Sequence, residues 1–392
     1  MAMLIAVPRW TSAALPWLRA GGMHIVDDNG RSVQLHGINI GGWLVEEMWM
    51  MPFETKEPPA GMAKIIDHVT LWRCWNQRFG EAKAAELRTK FRDAWLNEAD
   101  FDRMQSAGFN CVRLPFLSSL LDEPEGWSWL DRAVGWAGRR RIYVVLDMHG
   151  APGSQNKDQT TGEAGRNALF KDPANVGKAI SLWQAIAKRY RDNPAVAGFD
   201  LLNEPMGAPS QARLQEVHNQ LYKAIRQVDE RHIIFVEDGY RGIKSMPRPA
   251  GVGWQNVVLS LHYYRFHAKS PADQEQGLID YFTDVVKTQP TLGAPLFIGE
   301  FNQEPWGNEQ ARAHFAQLCR LHDWSWSFWC YKTVMPGGHP SSWGWYSNGA
   351  STQMIDPYRD SYDEIVAKLP QLRTENLVQR KNLLLLLENG NP

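Results

Sequence analysis

The sequence predicts an α/β protein built as a single (β/α)8 TIM-barrel domain, on three observations. Eight short apolar runs recur along the 392 residues. Most are rich in Val, Ile, Leu and Phe without strict alternation, the pattern of strands buried on both faces of a parallel sheet. Helix-like stretches separate them, and repeated strand–helix alternation implies a barrel or a doubly wound sheet. The third observation separates those two. A doubly wound sheet more often carries a glycine-rich phosphate turn after its first strand. Here the first run is followed by Gly41-Gly42-Trp43, with no GxGxxG.

Taken in order, residues 1–17 read as an N-terminal extension. Residues 23–29 and 31–34, around Asp28-Asn29-Gly30, read as a β-hairpin that caps the bottom of the barrel. The first barrel run is 33–40. The segment from Glu46 to about Trp95 reads as a long loop forming part of a cleft wall. Residues 97–107, stopped by Gly108, form a helix before the second run, 111–116. A helix at 129–140 precedes the run 142–149, one at 173–190 precedes 196–203, and one at 210–228 precedes 233–237. The sixth run is 257–264. Helices at 273–287 and 308–322 precede the last two runs, 296–301 and 325–331. Residues 18–370 form the barrel domain, without linker or repeat, and 371–392 are read as a tail, a helix and then a frayed end.

Charge is nearly balanced, with 42 Lys+Arg against 43 Asp+Glu, so no basic stripe points to nucleic acid. The 18 tryptophans outnumber the 15 phenylalanines. More than half belong to a core, but flat apolar faces also suit sugar rings. The four cysteines, Cys74, Cys111, Cys319 and Cys330, form no CxxC pair, which argues against a zinc site. Cys111 and Cys330 fall inside predicted strands as small hydrophobes. Pro8 and Arg9 break the short apolar start, making a poor signal peptide. No run reaches membrane-spanning length; Leu383 to Leu387 is only five leucines. The expectation is a cytoplasmic protein, or a secreted one whose leader has been removed.

Two apolar runs end at glutamates. One closes as Leu201-Leu202-Asn203-Glu204-Pro205, the other as Phe297-Ile298-Gly299-Glu300-Phe301. A buried charge is costly unless paired or used. Two carboxylates at strand ends are what glycosidic bond cleavage needs, one as proton donor and one as nucleophile or base. In a barrel, functional groups gather at the C-terminal ends of the strands. Those ends supply Arg113, His149, Asn203, Glu204, Glu237, His262, Tyr264, Glu300 and Trp329. A lone strand-end histidine is more often structural, but this set can jointly tune two carboxylates. Glu237-Asp238-Gly239 is read as turn chemistry, and Asp147 and Asp200 as braces for loops or arginines. No ligand cluster is visible, so no metal or cofactor is expected.

The chain resembles glycoside hydrolase family 5. The motifs are Asp147-Met-His-Gly150, Leu201-Leu-Asn-Glu-Pro205, His262-Tyr-Tyr264 and Ile298-Gly-Glu-Phe301. Within the family it is most similar to the exo-β-1,3-glucanase and β-glucosidase branch. The carriers are Gly41-Gly-Trp-Leu-Val45 with Glu47, His149-Gly-Ala-Pro-Gly-Ser-Gln-Asn156, and Trp326-Ser-Phe-Trp329 followed by Lys332. The resemblance implies Glu204 as acid/base and Glu300 as nucleophile. It implies Asn203 on the sugar 2-hydroxyl, and Arg113 and Tyr264 beside Glu300. His149 and His262 match active-site histidines, with His262 next to Glu204. Trp329 is implied as the floor under the cleaved sugar, and Glu47 and Asn156 as grips on terminal glucose hydroxyls. Cys330-Tyr-Lys332 is also similar to glycolipid-cleaving relatives. Phe301-Asn302 stands where the branch usually has Trp.

The leading expectation is therefore a retaining β-glycosidase on β-glucosides or β-1,3-glucan, probed from the chain end. The alternatives are an endo-β-1,4-glucanase or mannanase, a glycolipid glycosidase, a transglycosylase, and, outside the enzymes, a carbohydrate-binding barrel. The expected partner is a carbohydrate, with no nucleic acid and no membrane span.

Overall fold

The computed structural model of the protein describes residues 15–54, 56–304, 306, 309–336, 343–381 and 387. The start of the chain through residue 14, most of the Gly/Pro-rich loop (337–342) and four of the five consecutive leucines lie outside the described residues.

Strands β1 (Leu18–Gly21) and β2 (His24–Asp27) pair antiparallel. Eight strands follow: β3 (His36–Asn39), β4 (Cys111–Leu117), β5 (Tyr143–Gly150), β6 (Val196–Asp200), β7 (Ile233–Glu237), β8 (Val257–Tyr263), β9 (Leu296–Phe301) and β10 (Ser325–Phe328). They close into a barrel in sequence order, β10 pairing with β3, and every pairing is parallel. The strands from β4 to β10 are buried along their whole length. That is why their sequences run apolar rather than alternating.

The helices between them are α1 (His68–Phe79), α2 (Glu81–Trp95), α3 (Glu98–Ala107), α4 (Gly126–Arg139), α5 (Pro173–Tyr190), α6 (Gln211–Arg226), α7 (Pro271–Leu292) and α8 (Glu309–His322), and α9 (Tyr362–Lys368) follows the last barrel strand. Local chemistry sets their ends. Asn97 and Ser210 cap α3 and α6 by accepting backbone N–H groups, which satisfies donors the first turn leaves free. Gly108 ends α3 with φ of 97°, a left-handed conformation that glycine tolerates. One strip of core fills the space between sheet and helices. A second lies at the bottom, where Leu15, Leu18 and Ile25 cover Cys111, Val145, Ile233 and Phe297.

Four expectations are corrected. The Asp28-Asn29-Gly30 turn exists, but it carries only a single bridge, Val26 to Ser32; the fuller pairing is β1 with β2, because the two-residue turn Gly22-Met23 already reverses the chain. Residues 46–95 are not one long loop. Their second half is α1 and α2, with Asp67 capping α1 through Thr70, and among the described residues of this segment only Glu47 and Trp49 face the cleft. Asp273–Lys287 was too short: α7 starts at Pro271 and runs to Leu292 with Pro290 inside it. Finally, residues 371–381, the described part of the expected tail, stay with the domain. After β11 (Lys332–Thr333) and β12 (Tyr346–Ser347), β13 (Val378–Gln379) pairs antiparallel with β12. At the other end, Trp17 of the expected extension packs under Arg231, 3.8 Å from ring centroid to guanidinium carbon. No described helix is long and apolar enough to cross a membrane.

Candidate active site

The barrel opens at its C-terminal end into a cleft of about 550 Å³. Arg113, on β4, lies fully buried in the floor and organises it. Its Nε donates to Asp200 (2.9 Å), Nη1 to Asn39 (3.1 Å) and Glu300 (2.6 Å), and Nη2 to Asn203 (2.9 Å) and Glu237 (3.0 Å). Asp147 lies 3.2 Å from Nη2. The planar guanidinium fork lets one cation hold groups from five strands and their ends at once. Asp147 and Asp200 thus act as the braces expected of them.

Glu300 is placed by an irregularity. Leu261 pairs with Ile298, but His262 pairs with Glu300, so Gly299 is an extra residue on β9. Such a bulge re-aims the side chains that follow it. A Cβ on Gly299 would stand 2.7 Å from Ser260 Oγ and 3.1 Å from His262 Nε2; only glycine leaves room for that histidine. The Glu300 carboxylate then receives Arg113 on Oε1 and the Tyr264 hydroxyl on Oε2 (2.8 Å).

Glu204 lies beyond β6, before Pro205, with φ of +44°. A positive φ on a non-glycine residue is strained and concentrates at functional sites. The surroundings hold it from both sides: its N–H donates to Glu237 Oε2 (2.6 Å), and its carbonyl accepts from the Asn156 amide (2.8 Å). Its carboxylate Oε1 receives the Tyr240 hydroxyl (2.8 Å) and meets His262 Nδ1 (2.9 Å). His262 Nδ1 is also 3.6 Å from Glu300 Oε2. One carboxylate oxygen each from Glu204 and Glu300, and one His262 nitrogen, lie within 4.8 Å of one another. Among the described residues this is the one trio of donor atoms able to hold a metal ion, and its members already bond one another, Tyr240, Tyr264 and Arg113.

His149, on β5, donates or accepts at Nδ1 with Asp147 (2.7 Å), while Nε2 faces Glu47 Oε1 (3.7 Å) and the Asn203 amide (3.5 Å). The Trp329 ring stacks on His149, 5.5 Å apart and 12° from parallel. Glu47 Oε2 accepts from Trp49 Nε1 (2.8 Å), and its Oε1 has no hydrogen-bond partner among the described residues. Glu46 points the other way, to His68 and Trp72. Of the two adjacent glutamates, Glu47 is the one in the cleft. Asn156 is not in the lining; both ends of its amide are spent on Glu204 and on the Asp158 N–H, so it braces the loop that carries the acid rather than facing a ligand.

Burial sets the proton balance. It would depress both histidines, but neighbouring carboxylates win. Asp147 chiefly lifts His149 to about 10. Glu237, Glu300 and Glu204 lift His262 well above its ordinary range. Burial likewise pushes Glu237 up to about 8, against His262 and Arg113. Burial and the charge of Glu204 raise Glu300, against His262 and Arg113. For Glu204, burial is outweighed by His262 and Tyr240, and its carboxyl is held below the usual glutamate value. The two carboxyls therefore differ in proton affinity, Glu300 holding a proton more readily than Glu204 in the free protein, the reverse of the order that a proton donor at Glu204 and an ionised nucleophile at Glu300 need, and a cationic His262 sits between them.

The sequence reading undervalued one member of this site and missed another. Glu237 was taken as part of a turn; it touches Arg113, His262 and the Glu204 N–H. Tyr240 was not singled out, although Asp238 fixes its backbone by accepting from the Tyr240 and Gly242 N–H groups. A carboxylate at the last residue of β7 followed by a Gly-containing turn was the available signal. Further out, Trp49, Trp343, Tyr264 and Phe266 form an aromatic wall, Trp343 lying 5.3 Å from Trp49 and 5.9 Å from Phe266 between ring centroids.

The family profile Cellulase (glycosyl hydrolase family 5) matches residues 74–334. The chain belongs to glycosyl hydrolase family 5. Among family relatives, a beta-xylosidase of Phanerodontia chrysosporium is 31% identical over 262 residues, covering 64% of this chain and 52% of that protein. A probable glucan 1,3-beta-glucosidase A of Aspergillus niger is 29% identical over 310 residues, covering 74% and 70%. Its counterpart from Aspergillus fumigatus is 34% identical over 242 residues, 59% of this chain and 55% of that protein. The chain thus spans little more than half the length of the first relatives it matches. In structure, an endogalactoceramidase overlays with a TM-score of 0.62 at 19% identity, covering 91% of this chain and 85% of that one. A rutinosidase from Aspergillus niger overlays at 0.63 and 16% identity, covering 86% and 97%. At these identities the overlays speak for the barrel alone.

Proposed function

We propose that this family 5 protein is a retaining β-glycosidase that releases glucose from the ends of β-glucosides or β-1,3-glucan. The observation that carries the reading is the approach of Glu204 and Glu300, with one oxygen of each within 4.8 Å of the other. Retaining enzymes hold their carboxyl groups about 5–5.5 Å apart, and inverting enzymes leave room for a water at about 6.5–9.5 Å. Glu300 attacks the anomeric carbon as Glu204 protonates the leaving oxygen. The covalent glycosyl ester is then hydrolysed by a water that Glu204, now the base, deprotonates. Arg113 and Tyr264 fix both oxygens of Glu300 for the attack. Trp329 offers its face to the glycone, and the buried free oxygen of Glu47, beside His149 and Asn203, is matched to sugar hydroxyls. The likeness to glucan 1,3-beta-glucosidases supports glucose as that sugar.

The test is a panel of aryl β-glucosides, laminari-, cello- and manno-oligosaccharides and a glucosylated lipid, with the anomer of the first product read by NMR. Retention and glucose release from laminari-oligosaccharides are expected. Initial release of the α-anomer would overturn the mechanism. Glu300→Ala should abolish turnover with the fold intact by circular dichroism. Glu204→Ala should lose natural substrates and regain turnover of an activated aryl glucoside with azide.

A further inference from the structure

Glu237 makes no contact with the cleft, yet it touches three parts of the machinery. Its Oε2 accepts the Glu204 N–H at 2.6 Å. Its Oε1 accepts from Arg113 Nη2 at 3.0 Å and lies 3.3 Å from His262 Nε2. The opposite nitrogen of that ring, Nδ1, meets Glu204 Oε1 at 2.9 Å. His262 therefore lies between two carboxylates, hydrogen-bonded to Glu204 at Nδ1 and in charge contact with Glu237 at Nε2, where the alignment falls short of a hydrogen bond. With a carboxylate oxygen near each nitrogen, the ring that fits carries a proton on each.

The geometry points to Glu237 as a positioning residue that keeps His262 an imidazolium, so that His262 supplies through Nδ1 the proton that Glu204 donates. This rests on the acid/base reading of Glu204. The Nδ1 proton of His262 moves along the 2.9 Å bond to Glu204, leaving a neutral ring with its proton on Nε2 facing Glu237; Glu204 passes that proton to the leaving oxygen and stands ionised, ready to act as base. The reverse transfer restores the imidazolium once Glu204 has taken a proton from water. No proton is gained or lost overall. The second contact, to the Glu204 N–H, ties the same carboxylate to the strained backbone of the acid. The charged and titratable groups facing this pair are Arg113 from β4, Asp200 and Glu204 from β6 and its end, Asp238 and Tyr240 after β7, and Glu300 from β9.

Glu237→Gln tests it. The glutamine oxygen still accepts a backbone N–H, but its amide donates toward His262 Nε2 and so favours the neutral ring. An adjacent opposite charge is worth roughly 1–3 pKa units, so His262 should titrate that much lower. Two readouts are made on the full chain. In NMR with 15N-labelled histidine, the His262 transition should move down by at least about one unit. In kcat/KM on a substrate with a poor leaving group, the alkaline limb should move down likewise, with about ten-fold loss above it. With a dinitrophenyl glucoside, whose departure needs no protonation, the shift of the alkaline limb should be absent, whatever loss common to all pH values the variant shows. An unmoved His262 transition would overturn the role of Glu237. So would a loss equal at every pH and for both substrates, which marks a merely structural role. If the wild-type protein cleaves neither substrate, the acid/base reading fails instead, and the NMR titration still reports on the pair.

Discussion

Replacing Tyr264 by phenylalanine removes one hydroxyl and little else. That hydroxyl donates to Glu300 Oε2 at 2.8 Å, and Arg113 keeps the other oxygen. A hydrogen bond to an ionised group contributes about 1.5–3 kcal/mol, and one pKa unit corresponds to about 1.36 kcal/mol. The bond favours the ionised carboxylate, so its loss should raise the pKa of Glu300 by about 1–2 units. Burial already holds that carboxyl above the ordinary glutamate value. The nucleophile must be ionised, so activity rises with pH through this pKa. The acidic limb of kcat/KM should therefore lie above the usual carboxylate range in the wild type and move further up in Tyr264→Phe. On the acidic side the loss should be about 10- to 100-fold, shrinking as pH rises past the limb. The assay is kcat/KM on an aryl β-glucoside from about pH 4 to 9. An unshifted acidic limb, with loss equal at all pH, would show that Tyr264 does not govern the ionisation of Glu300.

Tyr240→Phe removes a donor that holds Glu204 low, so the Glu204 carboxyl should titrate at higher pH, read from its 13C-labelled carboxyl resonance; a downward move would contradict the assigned contact. Gly299→Ala drives a Cβ into Ser260 and His262, and overpacking of this kind costs about 1–3 kcal/mol. Loss of kcat well beyond the loss of stability in urea melts is expected, and normal kcat would deny the bulge its role. Lys332, buried and lowered to about 8 chiefly by burial, donates to the Trp95 and Leu372 carbonyls. Lys332→Met orphans both, at about 1–3 kcal/mol each, and an unchanged urea midpoint would refute that accounting.

The barrel was legible because its eight strands are buried on both faces, which forces unbroken apolar runs. Helices α1 and α2 were not. Their amphipathic pattern, as in Glu81-Ala-Lys-Ala-Ala-Glu-Leu-Arg88, sits inside an excursion between two barrel strands, where a barrel needs only one helix. The short strands β11 to β13 carry two residues each and leave no periodic trace. Within the site, Glu204 and Glu300 were readable because each ends an apolar run that would otherwise exclude a charge. Glu237 ends such a run too, but Asp238-Gly239 after it imitated an ordinary turn. Asn156 was misjudged because its residue type suits a sugar hydroxyl equally well. Only the three-dimensional path of the loop shows both ends of its amide occupied by backbone.

The two hydrogen bonds of Lys332 tie distant stretches of chain to the segment just after Trp329. One reaches the C-terminal end of α2, the other reaches Leu372, and Tyr331 beside it bonds Asp100 at 2.8 Å and Thr374 at 3.4 Å. The Arg380 N–H closes the same region by donating to the Trp345 carbonyl at 2.8 Å. Shortening the gene product at residue 370 would thus strip the outer staples from the segment that follows Trp329, although both glutamates would remain.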